Sequence, residues 1–356
     1  MQQGAAAGGR RRSRSRLATD LALLGVIGAL LIAAFLAAGA TLYREFYSPA
    51  AFVERYLGLL ADGRAAEALA TPGVAVDIEA LEAAGLPPTA SQALLRRDAL
   101  AALGGVEIVG EETDRSVTRV TAAYRAGQFE GTTTFEVERD GSVGPLPTWR
   151  FATSPLAVVQ VAVQGSMTFD VNGFSLDKRQ VSPDGAEADP SAPVSLLVFS
   201  PGIYSVSVDT AIATTPGVAV VSDSPFTSVP VSLQAQPTEE FVAVVQDRVE
   251  EFLTACATQE VLQPTGCPFG FQVQDRIVSP PAWSITQQPA IRLEPDGANW
   301  IIPPTPAVAR IAVDIRSLFD GRVESTEEDV PFTLAGSITV DAEGRASISI
   351  TSSEVQ

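Results

Sequence analysis

The sequence predicts an α+β protein carried on a single transmembrane helix. Three observations point there. An uncharged run of twenty residues lies behind an arginine cluster, helical periodicity follows in two separate places, and each time it gives way to alternating, β-branched strand patterns. Between the two helix-then-strand blocks sits a stretch without any helical period. Helices followed by antiparallel strands read as α+β rather than as an alternating parallel architecture. At 356 residues the chain has room for two or three domains.

Residues 1–20 form a basic tail. Arg10, Arg11, Arg12, Arg14 and Arg16 stand against Asp20 alone, a local charge of +4. The apolar run Leu21–Ala40 (LALLGVIGALLIAAFLAAGA) spans ~30 Å as a helix, the thickness of a bilayer's hydrocarbon core. Tyr43, Phe46 and Tyr47 follow at the position of an interfacial aromatic belt, so the transmembrane helix is expected over 21–43. Five arginines precede it and only Arg44 follows closely. The positive-inside rule then puts the amino terminus in the cytoplasm and the bulk of the chain outside the cell membrane. A cleaved signal peptide is the alternative, with Ala38-Gly39-Ala40 as its cleavage site. The run exceeds the 7–15 residues of a signal core, which favours an uncleaved anchor. The RRRSRSR stretch reads as a topology determinant that can also touch anionic lipid. Gly25, Gly28 and Gly39 make no GxxxG, so pairing through the helix is not expected.

The first outer block covers 48–155. Ser48 suits an N-cap and Pro49 the first helical position. Phe52, Tyr56, Leu59, Leu60 and Leu69 recur at helical spacing, broken by Gly63 and ended by Thr71-Pro72-Gly73. Further helix is expected around Asp77–Ala84 and Ala90–Ala102. Strands are expected at Val106–Glu112, Ser116–Arg125, Phe129–Arg139 and Thr148–Thr153, with a turn at Arg139-Asp140-Gly141.

The second block, 156–236, reads as a small all-β module. Its short strands are Val158–Val163, Met167–Val171, Val194–Phe199, Ile203–Val208, Val218–Val221 and Val229–Leu233. Asn172-Gly173 is a hairpin signal, Pro201-Gly202 a turn, and Ser182–Pro193 a polar loop. The third block, 237–356, repeats the order of the first. Thr238 caps a helix with Glu239 and Glu240 in its first turn, favourable against the dipole. Phe241, Val245, Val249, Phe252, Leu253 and Cys256 form its buried stripe. Strands at Ser284–Leu293, Ala307–Ile315, Val330–Val340 and Ala346–Thr351 follow, the last two joined by a turn at Asp341–Gly344.

Composition excludes several chemistries. The chain has no histidine, so it lacks the most adaptable base near neutral pH and the commonest metal ligand. A Ser-His-Asp or Cys-His site cannot be built within it. Net charge is −18, hence −22 beyond the tail, which repels phosphate backbones and argues against nucleic acid as a partner. No G-x-S-x-G or phosphate-cradling glycine loop occurs, and Lys178, the only lysine, has no S-x-x-K around it. Asp170-Val171-Asn172-Gly173 with Asp177 lacks the distal ligands of a calcium loop and reads as a hairpin. Glu111/Glu112, Glu250/Glu251 and Glu327/Glu328 are sequence neighbours whose side chains diverge. We therefore expect no catalytic residue, cofactor or metal site. Trp149, Trp283 and Trp300 are candidates either for the core or for the lining of a concave sheet.

The two cysteines, Cys256 and Cys267, are expected to form a structural disulfide in an exported domain, tying the helix end to the loop Gln263–Pro268. The near-exclusive use of Arg over Lys, with abundant Ala, matches the codon bias of a high-GC, actinobacterial source.

Ser48–Leu60 (SPAAFVERYLGLL) is similar to the opening of NTF2-like and DUF4878-like modules. Together with Asp170–Gly173, Phe199–Val206 (FSPGIYSV), Glu239–Cys267 and Phe332–Ile350, it gives a layout that resembles the TcaA-type membrane proteins of Gram-positive bacteria. That resemblance implies two NTF2-like modules, helices packed on a curved antiparallel sheet, flanking the small β module. It also implies a cell-envelope role linked to wall stress and glycopeptide sensitivity. Many members carry a zinc ribbon before the membrane; here no cysteine precedes it. The expected function is a non-enzymatic envelope protein whose outer domains bind or sense a cell-wall or membrane component. The alternative is an accessory subunit of an envelope transport or wall-synthesis complex, as in Mce-associated proteins. A third reading, a hydrolase, requires two carboxylates facing each other in a pocket.

Overall fold

The computed structural model describes residues 12–100, 102–144, 146–341 and 345–353. Helix α1 (Arg12–Phe46) contains the whole apolar run, and its side chains from Leu21 to Phe46 are almost all exposed. Among the described residues it supplies the one segment long and apolar enough to cross a membrane. Tyr47 and Ser48 separate it from α2 (Pro49–Ala61). The Ser48 hydroxyl accepts from the Ala51 N–H at 3.1 Å and donates to the Arg44 carbonyl at 2.7 Å, so it caps one helix while tying off the other. Arg55 donates to the Phe46 carbonyl (2.7 Å) and the Trp149 indole to that of Tyr47 (2.8 Å). The end of α1 and Tyr47 just beyond it are thus tied to the fold that follows by three side-chain hydrogen bonds.

Short helices α3 (Ala65–Leu69) and α4 (Ile78–Ala83) follow. An antiparallel meander then runs in sequence order, β1 (Leu103–Asp114), β2 (Val117–Ala126), β3 (Phe129–Val143) and β4 (Leu146–Phe151). Helix α2 buries Phe52 and Tyr56 against this sheet. Their rings meet Phe151 at 4.9 and 5.0 Å between centroids, and Tyr56 meets Phe135 at 6.2 Å. The expected turn at Arg139-Asp140-Gly141 is instead a bulge within β3, and the chain reverses around Gly144.

The middle stretch comprises β5 (Leu156–Gln164), β6 (Thr168–Val171), β7 (Phe174–Asp177), α5 (Lys178–Val181), β8 (Val194–Phe199), β9 (Gly202–Ser207), β10 (Ala213–Thr214), β11 (Val218–Ser222) and β12 (Ser228–Gln234). Apart from β10, which pairs with Gln236 and Pro237, the strands form two facing sheets, β12-β5-β8 and β11-β9-β6-β7, with β12 parallel to β5. Strand side chains alternate between faces, and here both faces are buried. Ala157, Val159, Val161 and Val163 of β5 enter the sandwich core, while Leu156 and Val158 enter the core beneath α2. On β8, Leu196 and Val198 face the first and Leu197 and Phe199 the second. One sheet therefore serves both cores.

This arrangement corrects the helix expected over Ala90–Ala102. Among the described residues of that range only Arg97–Ala99 makes a single 3-10 turn, residue 101 lying outside them, and Ser91 bridges Leu196 of β8 in parallel. Leu94 is buried in the sandwich core and Leu95 in the other. Neighbouring residues can feed opposite cores from an extended chain but not from one helix face.

The last stretch holds β13 (Gln236–Pro237), α6 (Glu239–Ala257), β14 (Arg276–Ile277), β15 (Ala282–Gln287), β16 (Glu294–Asp296), β17 (Asn299–Arg316), β18 (Val323–Val340) and β19 (Ala346–Ser353). Strand β17 pairs on one side with β14, β15 and β16 and on the other with β18, which pairs with β19. The strand expected over Ser284–Leu293 ends at Gln287. Pro289 lies just beyond, and Gln246 of α6 holds this stretch by donating to its carbonyl (3.0 Å) and accepting from the Ile291 N–H (3.0 Å). Strands β17 and β18 are far longer than expected, with a register shift between Ile302 and Thr305 that carries β17 past two prolines. Of the expected turn at Asp341–Gly344, residues 342–344 lie outside those described; Asp341 donates its N–H to the Arg345 carbonyl at 3.0 Å.

The sandwich core continues without a break into the sheet under α6, through Phe241, Trp300 and Leu334. Gly165 marks the passage. Its φ is +86°, its N–H bonds the Gly297 carbonyl, and a Cβ there would stand 3.0 Å from Pro295 and 3.3 Å from Trp300.

Candidate functional site

Helix α6 lies across its sheet by burying Phe241, Val245, Val249, Leu253 and Cys256, spaced three to four residues apart. Thr238 starts it, its hydroxyl accepting from the Phe241 N–H (3.2 Å) and donating to the Ala211 carbonyl (2.8 Å). The helix packs closest to β15, on the far side of β17 from β19, and leaves a gap along its flank toward β19. That gap is a groove of about 690 Å³ floored by Ile212, Phe241, Val244, Phe252, Ile348 and Ile350. Glu240 and Arg248 stand on its rim, Arg248 bonded to Glu251 at 2.8 Å. Val244 is 51% exposed although apolar, because it faces the groove rather than the core.

The geometry suits an elongated ligand. From Glu240 to Phe252 the helix wall runs ~18 Å, and from Ala346 to Ile350 the strand wall runs ~13 Å. Strand β19 pairs only with β18 among the described residues. Its outer edge offers backbone donors and acceptors to whatever lies in the groove. Glu240 is the single carboxylate in the lining, so the facing pair that glycoside hydrolysis needs is not assembled there. A smaller cleft of about 290 Å³ adjoins the groove at Ala211 and Ile212 and carries one carboxylate, Asp341.

No family model, curated protein or solved structure matches this chain.

Cys256 and Cys267 are joined, with Cα atoms 5.8 Å apart. The bridge ties the last turn of α6 to the loop that follows, and that loop delivers Phe269 onto Trp283 (4.9 Å between centroids) and Phe332 (5.3 Å). Replacing Cys267 by Ser is expected to lower stability by roughly 3 kcal/mol, the closure entropy of a loop this short. Urea unfolding of the variant, and of the native chain with and without reductant, checks it.

None of the three tryptophans lines the groove. Trp300 is fully buried, Trp283 donates to the Val261 carbonyl (2.8 Å), and Trp149 sits at the junction between α1 and α2. Asn172 of the Asp170–Gly173 hairpin has its amide fully engaged. It donates to Ala99 and Ile203 carbonyls and accepts from the Ser205 N–H. Glu111 is the one carboxylate lining a cleft beside α1.

Sequence reasoning missed Lys178. It is 0% exposed, and its ammonium donates to the Val163 carbonyl (2.7 Å) and to that of Pro190, pinning the 182–193 loop to β5. Burial lowers its pKa from 10.5 to about 8, with Asp189 pulling weakly the other way. Beside it, burial pushes the Asp177 carboxyl up, but the bonds and charge of Arg179 outweigh this and hold it below the ordinary value. Between pH 8 and 10.5 the unfolded chain binds the lysine proton more tightly than the folded one. Stability is therefore expected to rise with pH across that window, by as much as about 3 kcal/mol from this group. Above pH 10 the buried hydroxyls of Tyr56 and Tyr204, both held well above 10 by burial, oppose the rise. Lys178→Met should abolish the rise and, at pH 9, cost about 1–3 kcal/mol by orphaning two carbonyls. Urea titrations from pH 7 to 10 check both.

Proposed function

We propose that this protein is a non-enzymatic, single-pass envelope protein whose outer region binds an elongated, largely apolar component of the cell wall or membrane. In this reading α1 spans the membrane with the arginine tail in the cytoplasm, and two NTF2-like modules flank the β sandwich. The arginine asymmetry around α1 supports the orientation, and the disulfide supports an oxidising compartment for the outer region. The observation that carries the binding role is the groove between α6 and β19, apolar on its floor and open along its length.

The free edge of β19 favours a second reading, an accessory subunit that grips an extended segment of a transport or wall-synthesis partner by strand addition. A photo-crosslinking residue at Val244, activated in intact cells, separates the two. Adducts with wall polymer or lipid support the first reading and an adduct with one stoichiometric protein supports the second. Absence of any adduct, or adducts only with cytoplasmic proteins, would overturn both.

A further inference from the structure

The first sheet carries a second apolar surface, at the opposite end of the chain from the groove. The β2–β3 ladder closes at the pair Val117 and Glu138, yet β3 runs on to Val143 and turns back through Leu146. The β3–β4 hairpin therefore overhangs its neighbours by about five residues, roughly 17 Å. It points toward the membrane helix. Val143, Leu146 and Trp149 share one cleft with Phe46 and Tyr47 at the end of α1. The neighbouring hairpin lies at the same end, where Glu111 and Thr113 line a cleft with Ala40 and Tyr43.

Val143 at the tip is 72% exposed, and Phe46 and Tyr47 beside it are also open. An overhanging apolar tip in water has no packing to explain it. At the level where a transmembrane helix leaves the hydrocarbon it has an obvious environment, the interfacial layer that takes up Tyr, Trp and apolar side chains. Three arginines stand in the same region: Arg44 in the last turn of α1, Arg55 lining the Val143 cleft, and Arg139 across the ladder from Trp149. Glu45, Glu111 and Asp140 are exposed at the same end, so the guanidinium groups give headgroups local partners rather than a net positive face, and the seating rests on the apolar tip.

We propose that the β3–β4 hairpin seats in the lipid headgroup layer of the bilayer that α1 crosses, so that the outer fold stands against the membrane on a helix and a hairpin. The inference rests on α1 being a membrane span. With the Trp149–Tyr47 bond as the brace between the two legs, the outer region cannot swing freely about the anchor, and the groove at α6 is held in a set orientation.

The test uses the full chain in phosphatidylcholine–phosphatidylglycerol vesicles. The native cysteines are paired with each other, so a single introduced cysteine takes an environment-sensitive fluorophore selectively. Val143→Cys reports the tip, and Gln128→Cys reports the β2–β3 turn at the other end of the sheet. Val143→Cys should emit at shorter wavelength and be quenched several-fold more than Gln128→Cys by lipids spin-labelled near the headgroup. Equal, weak quenching at both sites, in protein that resists alkaline extraction, would overturn the proposal and leave α1 as the anchor. Protein lost on alkaline extraction would instead remove the membrane span, and the proposal with it.

Discussion

Gly73→Ala is expected to unfold the core beneath α2, lowering its stability by about 4 kcal/mol or more. Gly73 has φ +81°, a left-handed conformation that alanine adopts only under strain. A Cβ there would also strike main chain, lying 2.7 Å from the Phe151 nitrogen and closer still to the Phe151 carbonyl oxygen. Neither atom can yield, because Phe151 ends β4, its N–H bonds the Pro72 carbonyl at 3.0 Å, and its ring packs on Phe52, Tyr56 and Phe135. Relief requires the 71–74 turn to lift away, which breaks that bond and exposes Val74. Hydrogen exchange should show protection lost in α2 and β2–β4 and largely kept in β17 and β18. Unchanged protection in α2 would show that the turn relaxes without disturbing the core.

Trp300→Ala is expected to have a comparable effect on the other core, about 3–5 kcal/mol. Trp300 is fully buried, meets Phe241 edge-on at 6.0 Å and stands beside Gly165 where the sandwich joins the last sheet. Truncation opens a cavity bounded by α6, β17 and the β5–β6 connection, three elements that cannot all collapse inward together. Urea unfolding followed by near-UV signal should show the loss. Because the sandwich and the last sheet share this core, β5 and β9 should lose exchange protection with β17. Loss confined to β17 and β18 would mean the joint at Gly165 is not cooperative.

The elements were legible where one period governs one face. Ser48, Thr238, the Asn172-Gly173 hairpin, the Cys256–Cys267 pair and the α6 stripe all follow from local spacing, except that Phe252, expected in the stripe, is only partly buried and lines the groove. The failures share a cause: a residue's environment was set by chain far away in sequence. Leu94 and Leu95 look like a helical pair until β8 places a core on either side of them. Arg139-Asp140-Gly141 has the composition of a turn, yet β4 keeps pairing beyond it, making a bulge. Pro303 and Pro304 mask the true length of β17, which a register shift accommodates. Lys178 stands among polar residues that suggest exposure, and only the fold of the 182–193 loop buries it. The groove itself was not legible at all, because Val244 and Ile348 lie about a hundred residues apart and meet only through the sheet. What could be seen of it locally was Val244, an apolar residue on the polar side of its own helix.

The side of the bilayer on which the region after α1 stands decides which components its groove can meet. A membrane-impermeant maleimide applied to intact cells tests this directly, with cysteine introduced at Phe319, fully exposed and outside the groove, or at Ser13 in the arginine tail. Phe319→Cys should label in intact cells, and Ser13→Cys only once the membrane is breached. Labelling of Ser13→Cys in intact cells with Phe319→Cys shielded would contradict the orientation, the exported disulfide and the proposed role at the envelope together.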